Sequence, residues 1–393
     1  MDRMKIGITG QAGFIGTHLF NTLTLKKDRF QAIPFEDGFF DSEESLDAFV
    51  SQCDVIVHLA AMNRHADPDV LYQTNIELVQ KLIGSLERTH STPYVIMSSS
   101  LQEEKENIYG RSKREGRELL NQWADRTGAK FTGLIIPNVF GPFGVPFYNS
   151  VISTFSYQLN NDQEPKIEID AELKLMYVGD LVDKIIGLVE HHISISEEGN
   201  PHTIEPTQAD VINPPRILPI ESSAAHKVTD LLRKLQGFKD DYVEKGIFPD
   251  LSDRFELNLF NTFRSYVPES RFPVKYRKHS DQRGDYVEAV KFLSGGQSSY
   301  STTRPGITRG NHFHTRKVER FAVIQGRASI KLRKYGTDHV IEYIIDGNEP
   351  AYVDMPIWFT HNITNIGDSE LLTLFWINEF YDPADPDTYF EEV

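Results

Sequence analysis

Hydrophobic and polar positions change their rhythm along this chain, and the change divides it. Over the first half, short apolar runs alternate with stretches of helical spacing. MKIGIT (4–9), FQAIPF (30–35), DVIVHLAA (54–61), YVIMSSS (94–100) and FTGLIIPNVFG (131–141) read as strands. Between them HLFNTLT, SLDAFVSQ, VLYQTNIELVQKLIGSLER and KREGRELLNQWADRTG place apolar residues three and four apart, as one face of a helix requires, and LVDKIIGLVEHH repeats the pattern. Strands alternating with helices predict a parallel sheet covered on both faces. Residues 196–220 are richer in Pro, Ser, Glu and Asn and read as an insertion or loop, and 221–262 read as helical again. From about residue 270 the period falls to two. YVEAVKFL, QSSYSTTR, ERFAVIQ, RASIKLRKY, HVIEYII, AYVDMP and LLTLFWIN are short strands punctuated by Gly, Asp, Asn and Pro, a pattern that predicts an antiparallel barrel or jelly roll. The expected division is an α/β, Rossmann-type doubly wound domain with a helical region over 1–265, followed by an all-β barrel over 270–393.

Composition narrows the setting. The 393 residues, 39% of them hydrophobic, are enough for two real cores. No run approaches 18 apolar residues, so no membrane insertion is expected. The start MDRMKIGITG passes directly into a strand, and the single cysteine, Cys53, forms no intrachain disulfide. These features predict a cytoplasmic protein. A net charge of −16 makes it a poor nucleic-acid binder, because phosphates would be repelled.

Chemistry enters at TGQAGFIG. Gly10, Gly13 and Gly16 stand between the first strand and first helix, where glycine permits a tight turn, close backbone approach to a pyrophosphate, and helix packing against the strand. Glu36 lies 20 residues past Gly16, where an acid bonds a ribose 2′-hydroxyl and favours NADH. Tyr109 and Lys113 in YGRSK are four apart and share a face if a helix begins there. An ammonium beside a phenol eases its ionisation, so such a tyrosine can deliver a proton to a carbonyl oxygen. Ser100 or Ser99, at the end of the preceding strand, would hydrogen-bond the same carbonyl.

These pieces, with DVIVHLAA, Asn75 in QTNIELV and PNVFG, resemble the extended short-chain dehydrogenase/reductase family that handles nucleotide sugars, over roughly residues 4–190. The resemblance implies a catalytic Ser100, Tyr109 and Lys113. It implies cofactor contacts from Gly10, Gly13, Phe14, Ile15, Gly16, Glu36, Leu59, Ala60, Tyr109 and Lys113, with Asn138 near the substrate. The gap between SSS and YGRSK is much shorter than in most members.

In the second half, His312 and His314 are two apart and can face one side of a strand, with Glu319 on the next stretch and His361 on a later strand. Imidazoles with one carboxylate suit Zn, Fe, Mn, Co or Ni, and an open position allows Lewis-acid chemistry. GITRGNHFHTRKVERFAVIQG resembles the first cupin motif through Gly306, His312, His314, Glu319 and Gly326. The second motif fits at Pro356, His361 and Asn365, with Trp358 where glycine is usual.

A reductase joined to a C-terminal cupin is similar to the CapF-like family of capsule and O-antigen synthesis. FYNSVISTF, RPGITRGNHFH, THNITNIGD and NEFYDPADPDTYFEEV carry that resemblance across nearly the whole chain, while residues 190–220 look longer than expected. It implies a bifunctional enzyme acting on a UDP-linked 4-keto-6-deoxy amino sugar, with Asn138 and Asn149 contacting substrate. The cupin would epimerise C3, and the reductase would then reduce the C4 ketone. The product would be UDP-2-acetamido-2,6-dideoxy-L-talose, towards UDP-N-acetyl-L-fucosamine. The resemblance implies NADPH, against NADH from Glu36, and zinc or another divalent metal in the cupin. His279, Tyr300 and a water on the metal are candidates for the C3 base. A homodimer or homotetramer is expected. The rival readings are a 4-ketoreductase with a purely structural cupin, a dinucleotide-binding sensor without turnover, and a cupin dioxygenase coupled to a reductase.

Overall fold

A computed structural model describes residues 3–197, 214–282, 284–293 and 295–393. The chain forms two compact units, Met1–Phe140 with Leu173–Ala225, and Gly141–Glu172 with His226–Val393.

In the first unit six strands form a parallel sheet in the order β2-β1-β3-β4-β5-β8. They are β1 (Met4–Thr9), β2 (Phe30–Ile33), β3 (Val55–His58), β4 (Tyr94–Ser100), β5 (Phe131–Ile136) and β8 (Ile217–Pro219). Side chains alternate across the pleat. Ile6, Ile8, Val55, Val57 and Ile96 point to one face, where α1 (Phe14–Leu25) and α6 (Val178–Glu197) cover them with Leu19, Leu23, Leu181 and Ile185. Ile56, Val95 and Met97 point to the other, under α2 (Glu43–Val50), α3 (Pro68–Arg88) and α4 (Ile108–Thr127), which contribute Phe49, Leu82 and Trp123. Burial on both faces explains why these strands are almost continuously apolar. The strand order reverses between β1 and β3, and in such sheets the crevice beyond the strands' carboxyl ends at that point takes the ligand.

Two expectations need correction here. FTGLIIPNVFG is two strands, because Pro137 lacks the N–H needed to continue the ladder. The chain leaves the sheet there, and β6 (Asn138–Phe140) pairs instead with β7 (Glu172–Tyr177) in parallel. Within the segment read as an insertion or loop, Ile217–Pro219 is the sheet's sixth strand, and residues 198–213 lie outside the described residues.

The second unit contains two five-stranded antiparallel sheets. One runs Val274–Lys275, Ala351–Met355, Glu319–Gln325, Leu371–Ile377, Gln297–Thr303. The other runs Val340–Asp346, Arg327–Lys334, Phe359–Asn365, Thr308–Phe313, Tyr389–Phe390. Phe321, Val323, Ile330, Val353 and Ile363 fill the core of this cupin-type fold. YVEAVKFL, expected as one strand, is not continuous: Tyr286 ends the strand Gly284–Tyr286, and Lys291–Phe292 forms another.

The compact units divide elsewhere than the 265–270 boundary read from the sequence. Three helices, α5 (Val151–Asn160), α7 (Val228–Phe238) and α8 (Arg254–Arg264), belong to the second unit. The reason is their apolar cover. Phe238 meets Phe260 and Phe263, and Phe248 stacks on Trp376 at 4.4 Å. Arg264 donates to the carbonyl of Met355 (2.7 Å), and Tyr242 donates to Asp354 (2.8 Å), which also pairs with Arg320 at 2.6 and 2.9 Å. Among the described residues, no helix is long and apolar enough to cross a membrane.

Candidate functional sites

In the first unit the glycine loop closes β1 onto α1. Gly10 has φ +71°, and a Cβ there would stand 2.8 Å from the backbone nitrogen of Ala60, just past β3. The Leu59 N–H in turn donates to the Thr9 carbonyl. Gly13 caps α1 without any side-chain hydrogen bond, so the first N–H groups of the helix stay open to an anion, with half-buried Phe14 and Ile15 following and buried Gly16 beneath. Glu36 is exposed beyond β2, in a segment whose Phe35 N–H donates to Gln11 of the glycine loop (3.0 Å). These features fit a dinucleotide: a turn too tight for a Cβ, and uncapped helix N–H groups.

Tyr109 and Lys113 fall in the first turns of α4, with Asn107 as N-cap. Tyr109 is half-buried and Lys113 buried. Burial lowers the Lys113 pKa to about 8, partly offset by the Glu103 carboxylate. His58, at the end of β3, is held down to about 3 by burial and then by the charge of Lys113. Its Nδ1 meets Thr9 Oγ1 at 2.7 Å, and its Nε2 has no hydrogen-bond partner among the described residues. Asn75 pins the loop after β3 to this region. It accepts from Met62 N (2.7 Å) and donates to Met62 O and Ser112 Oγ, both at 3.0 Å.

The serines separate by strand alternation. Ser99 turns into a buried knot, donating to Glu103, which pairs with Arg117 at 2.7 Å. Ser100 and Ser98 share the other face, and Ser100 Oγ accepts from Gln102 N at 3.2 Å. Asn138 is exposed and donates to the Lys174 carbonyl (3.1 Å), and Asn149 is exposed on the loop before α5.

In the second unit His312, His314, Glu319 and His361 each offer a ligand atom, all within 4.8 Å of one another. The strand Thr308–Phe313 ends one residue before His314. A bulge at Asn311, with φ +59°, precedes His312, which pairs with His361 on the neighbouring strand. His314 donates Nδ1–H to the Asp387 carbonyl (2.5 Å), and His361 to the Phe359 carbonyl (3.0 Å). Those bonds fix both tautomers with Nε2 lone pairs facing Glu319. His314 Nε2 lies 3.0 Å and His361 Nε2 3.3 Å from the same Glu319 oxygen. Lone pairs crowding a carboxylate call for a cation between them, so the donor set fits a divalent metal. Burial opposes protonation of His314, but Glu319 outweighs it and raises its pKa. Burial also works to raise that of Glu319, yet His314 and His361 hold it below the usual range. Burial and the two neighbouring imidazoles lower His312 to about 4.

Trp358, where the second motif usually has glycine, adopts φ +62°, the conformation that favours glycine. Asn365 is buried and satisfied, donating to the Thr303 and Ser369 carbonyls. Of the candidate bases, His279 is exposed, and Tyr300 is 74% exposed on the face of its strand opposite to buried Thr303. The sequence reading passed over His58, Glu103 and Asp387. Only His58 carried a signal, as the lone polar residue inside the apolar run DVIVHLAA.

Residues 6–200 match the NAD dependent epimerase/dehydratase family, and residues 279–389 the Polysaccharide biosynthesis C-terminal domain. The chain is 30% identical over 388 residues to the UDP-2-acetamido-2,6-beta-L-arabino-hexul-4-ose reductase of Pseudomonas aeruginosa, covering 98% of each. The solved structure of the capsular polysaccharide assembling protein CapF from Staphylococcus aureus is 33% identical, with 99% of this chain and 100% of that one covered and a TM-score of 0.59. A structure of CapF with the inhibitor 3-isopropenyl-tropolone matches at 31% identity over 99% and 100% of the two chains, with a TM-score of 0.54. With both halves matched in order and the likeness running end to end, the chain belongs to the CapF-like reductase/epimerase family.

Proposed function

We propose that this chain carries out two consecutive steps on one UDP-linked 2-acetamido-2,6-dideoxy-4-hexulose: inversion at C3 in the cupin, then reduction at C4 in the first unit. The carrying observation is that one chain holds both a Tyr109–Lys113 pair beside a dinucleotide cradle and a cluster of three imidazoles and a carboxylate. Chemistry sets the order. The C3 proton is acidic only while C4 is a ketone. A base removes it, the electron pair is held as the enolate, and a proton returns to the other face. NADPH supplies the hydride for C4, and a divalent cation held by the cluster supplies positive charge to acidify C3–H.

The protein's own groups do the rest. Tyr109 gives its proton to the C4 oxygen as the alcohol forms, and the Lys113 ammonium eases that loss. Ser100, on the face away from the Glu103 knot, is the serine suited to bond the same oxygen. The glycine loop and the open end of α1 receive the pyrophosphate. The relative's name supports a hexul-4-ose substrate. A tropolone offers adjacent oxygens to a divalent cation, so an inhibitor of that kind on CapF supports the metal reading.

Proton NMR in D₂O tests the order. Without NADPH, deuterium should enter C3. With NADPH, a talo-configured alcohol should follow. Tyr109→Phe should keep exchange and cut reduction at least about 100-fold, and His314→Ala should abolish exchange. Reduction without any C3 label would leave the cupin a structural role, and the absence of both exchange and reduction would overturn the substrate assignment.

A further inference from the structure

The cluster's weakest point is His314. His361 is oriented by its own strand, through the Phe359 carbonyl two residues away. His314 lies beyond the end of its strand, and the carbonyl that holds its Nδ1 belongs to Asp387, 73 residues later in the chain. We propose that Asp387 is a positioning residue for the metal cluster, and that the segment around it is a strap that sets His314 with its Nε2 towards the ion. The inference rests on the metal reading above.

One residue grips both His314 and the three residues that follow it. The Asp387 carboxylate accepts from the backbone N–H of Thr315, Arg316 and Lys317, each at 3.0 Å, and from the Thr315 hydroxyl at 2.7 Å. Its carbonyl then takes the His314 Nδ1–H. Asp387 is only 3% exposed, so this carboxylate exchanged water for those four donors. It also adopts φ +38°, a backbone conformation uncommon outside glycine that the surrounding bonds must hold. The strap is fastened on both sides. Arg316 bonds Glu379 and Asp385, Lys317 donates to the Pro386 carbonyl, and Tyr389–Phe390 pairs with Phe313 and His312. Loss of the carboxylate would free residues 315–317, and with them the rotation and register of the His314 ring. Partners that orient a metal-ligating histidine in this way are generally worth about 10–100-fold in affinity.

The test uses the full chain, stripped of metal and titrated with Zn²⁺ against a chromogenic competing chelator. Asp387→Asn keeps the shape but turns an NH₂ towards either the two Thr315 donors or the Arg316 and Lys317 amides. It should lower zinc affinity about 10–100-fold with an unchanged far-UV circular dichroism spectrum, and His314→Ala marks complete loss of that ligand. If Asp387→Asn does not fold, Thr315→Val removes the hydroxyl that bonds Asp387 and Tyr389 while leaving the three backbone donors in place, and should weaken zinc several-fold. In the wild type, reciprocity requires that zinc slow hydrogen exchange at the Thr315, Arg316 and Lys317 amides. A folded Asp387→Asn with wild-type affinity, or amides indifferent to bound zinc, would sink the strap. A wild-type chain that binds no zinc would remove the metal reading and the strap with it.

Discussion

Lys113 is 3% exposed, and burial brings its ammonium down to about 8 from an ordinary 10.5. Between those values the unfolded chain binds more protons, so this group adds stability as pH rises from about 8 and exacts its full cost below. Lys113→Met should therefore raise the urea midpoint of the cofactor-free protein at pH 7, corresponding to an unfolding free energy larger by an amount on the order of 1–3 kcal/mol, while abolishing reduction. A lower midpoint would show that the lysine is not a buried charge in the free protein. His58 works in the opposite part of the scale. With a folded pKa near 3 against 6.5, it withdraws stability as pH falls through that interval. Tyr109 and Lys113 were legible in the sequence because a spacing of four maps directly onto a helix, and the three cupin histidines because they stand in recognisable motifs, although His314 lies past the end of its strand. The groups that tune and hold them were not. Thr9 and His58 are 49 residues apart, and His314 and Asp387 are 73 apart, so no local pattern announces either pair.

Among the elements, the short link between β4 and α4 shows what the trimmed gap in the sequence does. A single 3-10 turn, Leu101–Glu104, folds back over the start of the helix. The fit is so close that a Cβ on Gly110 would stand 1.9 Å from the Gln102 carbonyl oxygen. Glu103 is buried there against Arg117, with side-chain exposures of 6% and 11%. Glu103→Ala leaves an uncompensated guanidinium and should cost about 3 kcal/mol in urea unfolding, whereas Glu103→Leu with Arg117→Met should recover most of it. A near-neutral single variant would mean that water reaches Arg117. The length of the gap could be read from the sequence, but not the carboxylate inside it. Elements failed to be legible where one residue broke the period. Pro137 sent half a strand to another sheet, and the Asn311 bulge preceded histidines read as one regular strand.

For the molecule as a whole, the fall in period near residue 270 announced a parallel sheet followed by a barrel, and both are present. The allegiance of the intervening helices could not be read, since an amphipathic face does not say what will cover it. In the second unit Phe248 lies on Trp376, and the Arg320 guanidinium is 4.5 Å from Phe248 and 3.5 Å from Tyr352. A piece comprising residues 270–393 alone loses Phe248 and Tyr242. It should show red-shifted tryptophan emission and melt below the barrel of the intact chain, and equal melting would mean that the helices are dispensable to it. The order of the units along the chain also matters while the protein is being made. The α5 face formed by Ile152, Phe155 and Leu159 belongs with residues from 226 onwards, yet 173–225 must be synthesised first. At roughly 5–20 residues per second, the ribosome leaves that face without its partners for about 3–10 seconds. The nascent chain therefore passes through an interval when a greasy helix is already out of the exit tunnel and its cover has not been translated.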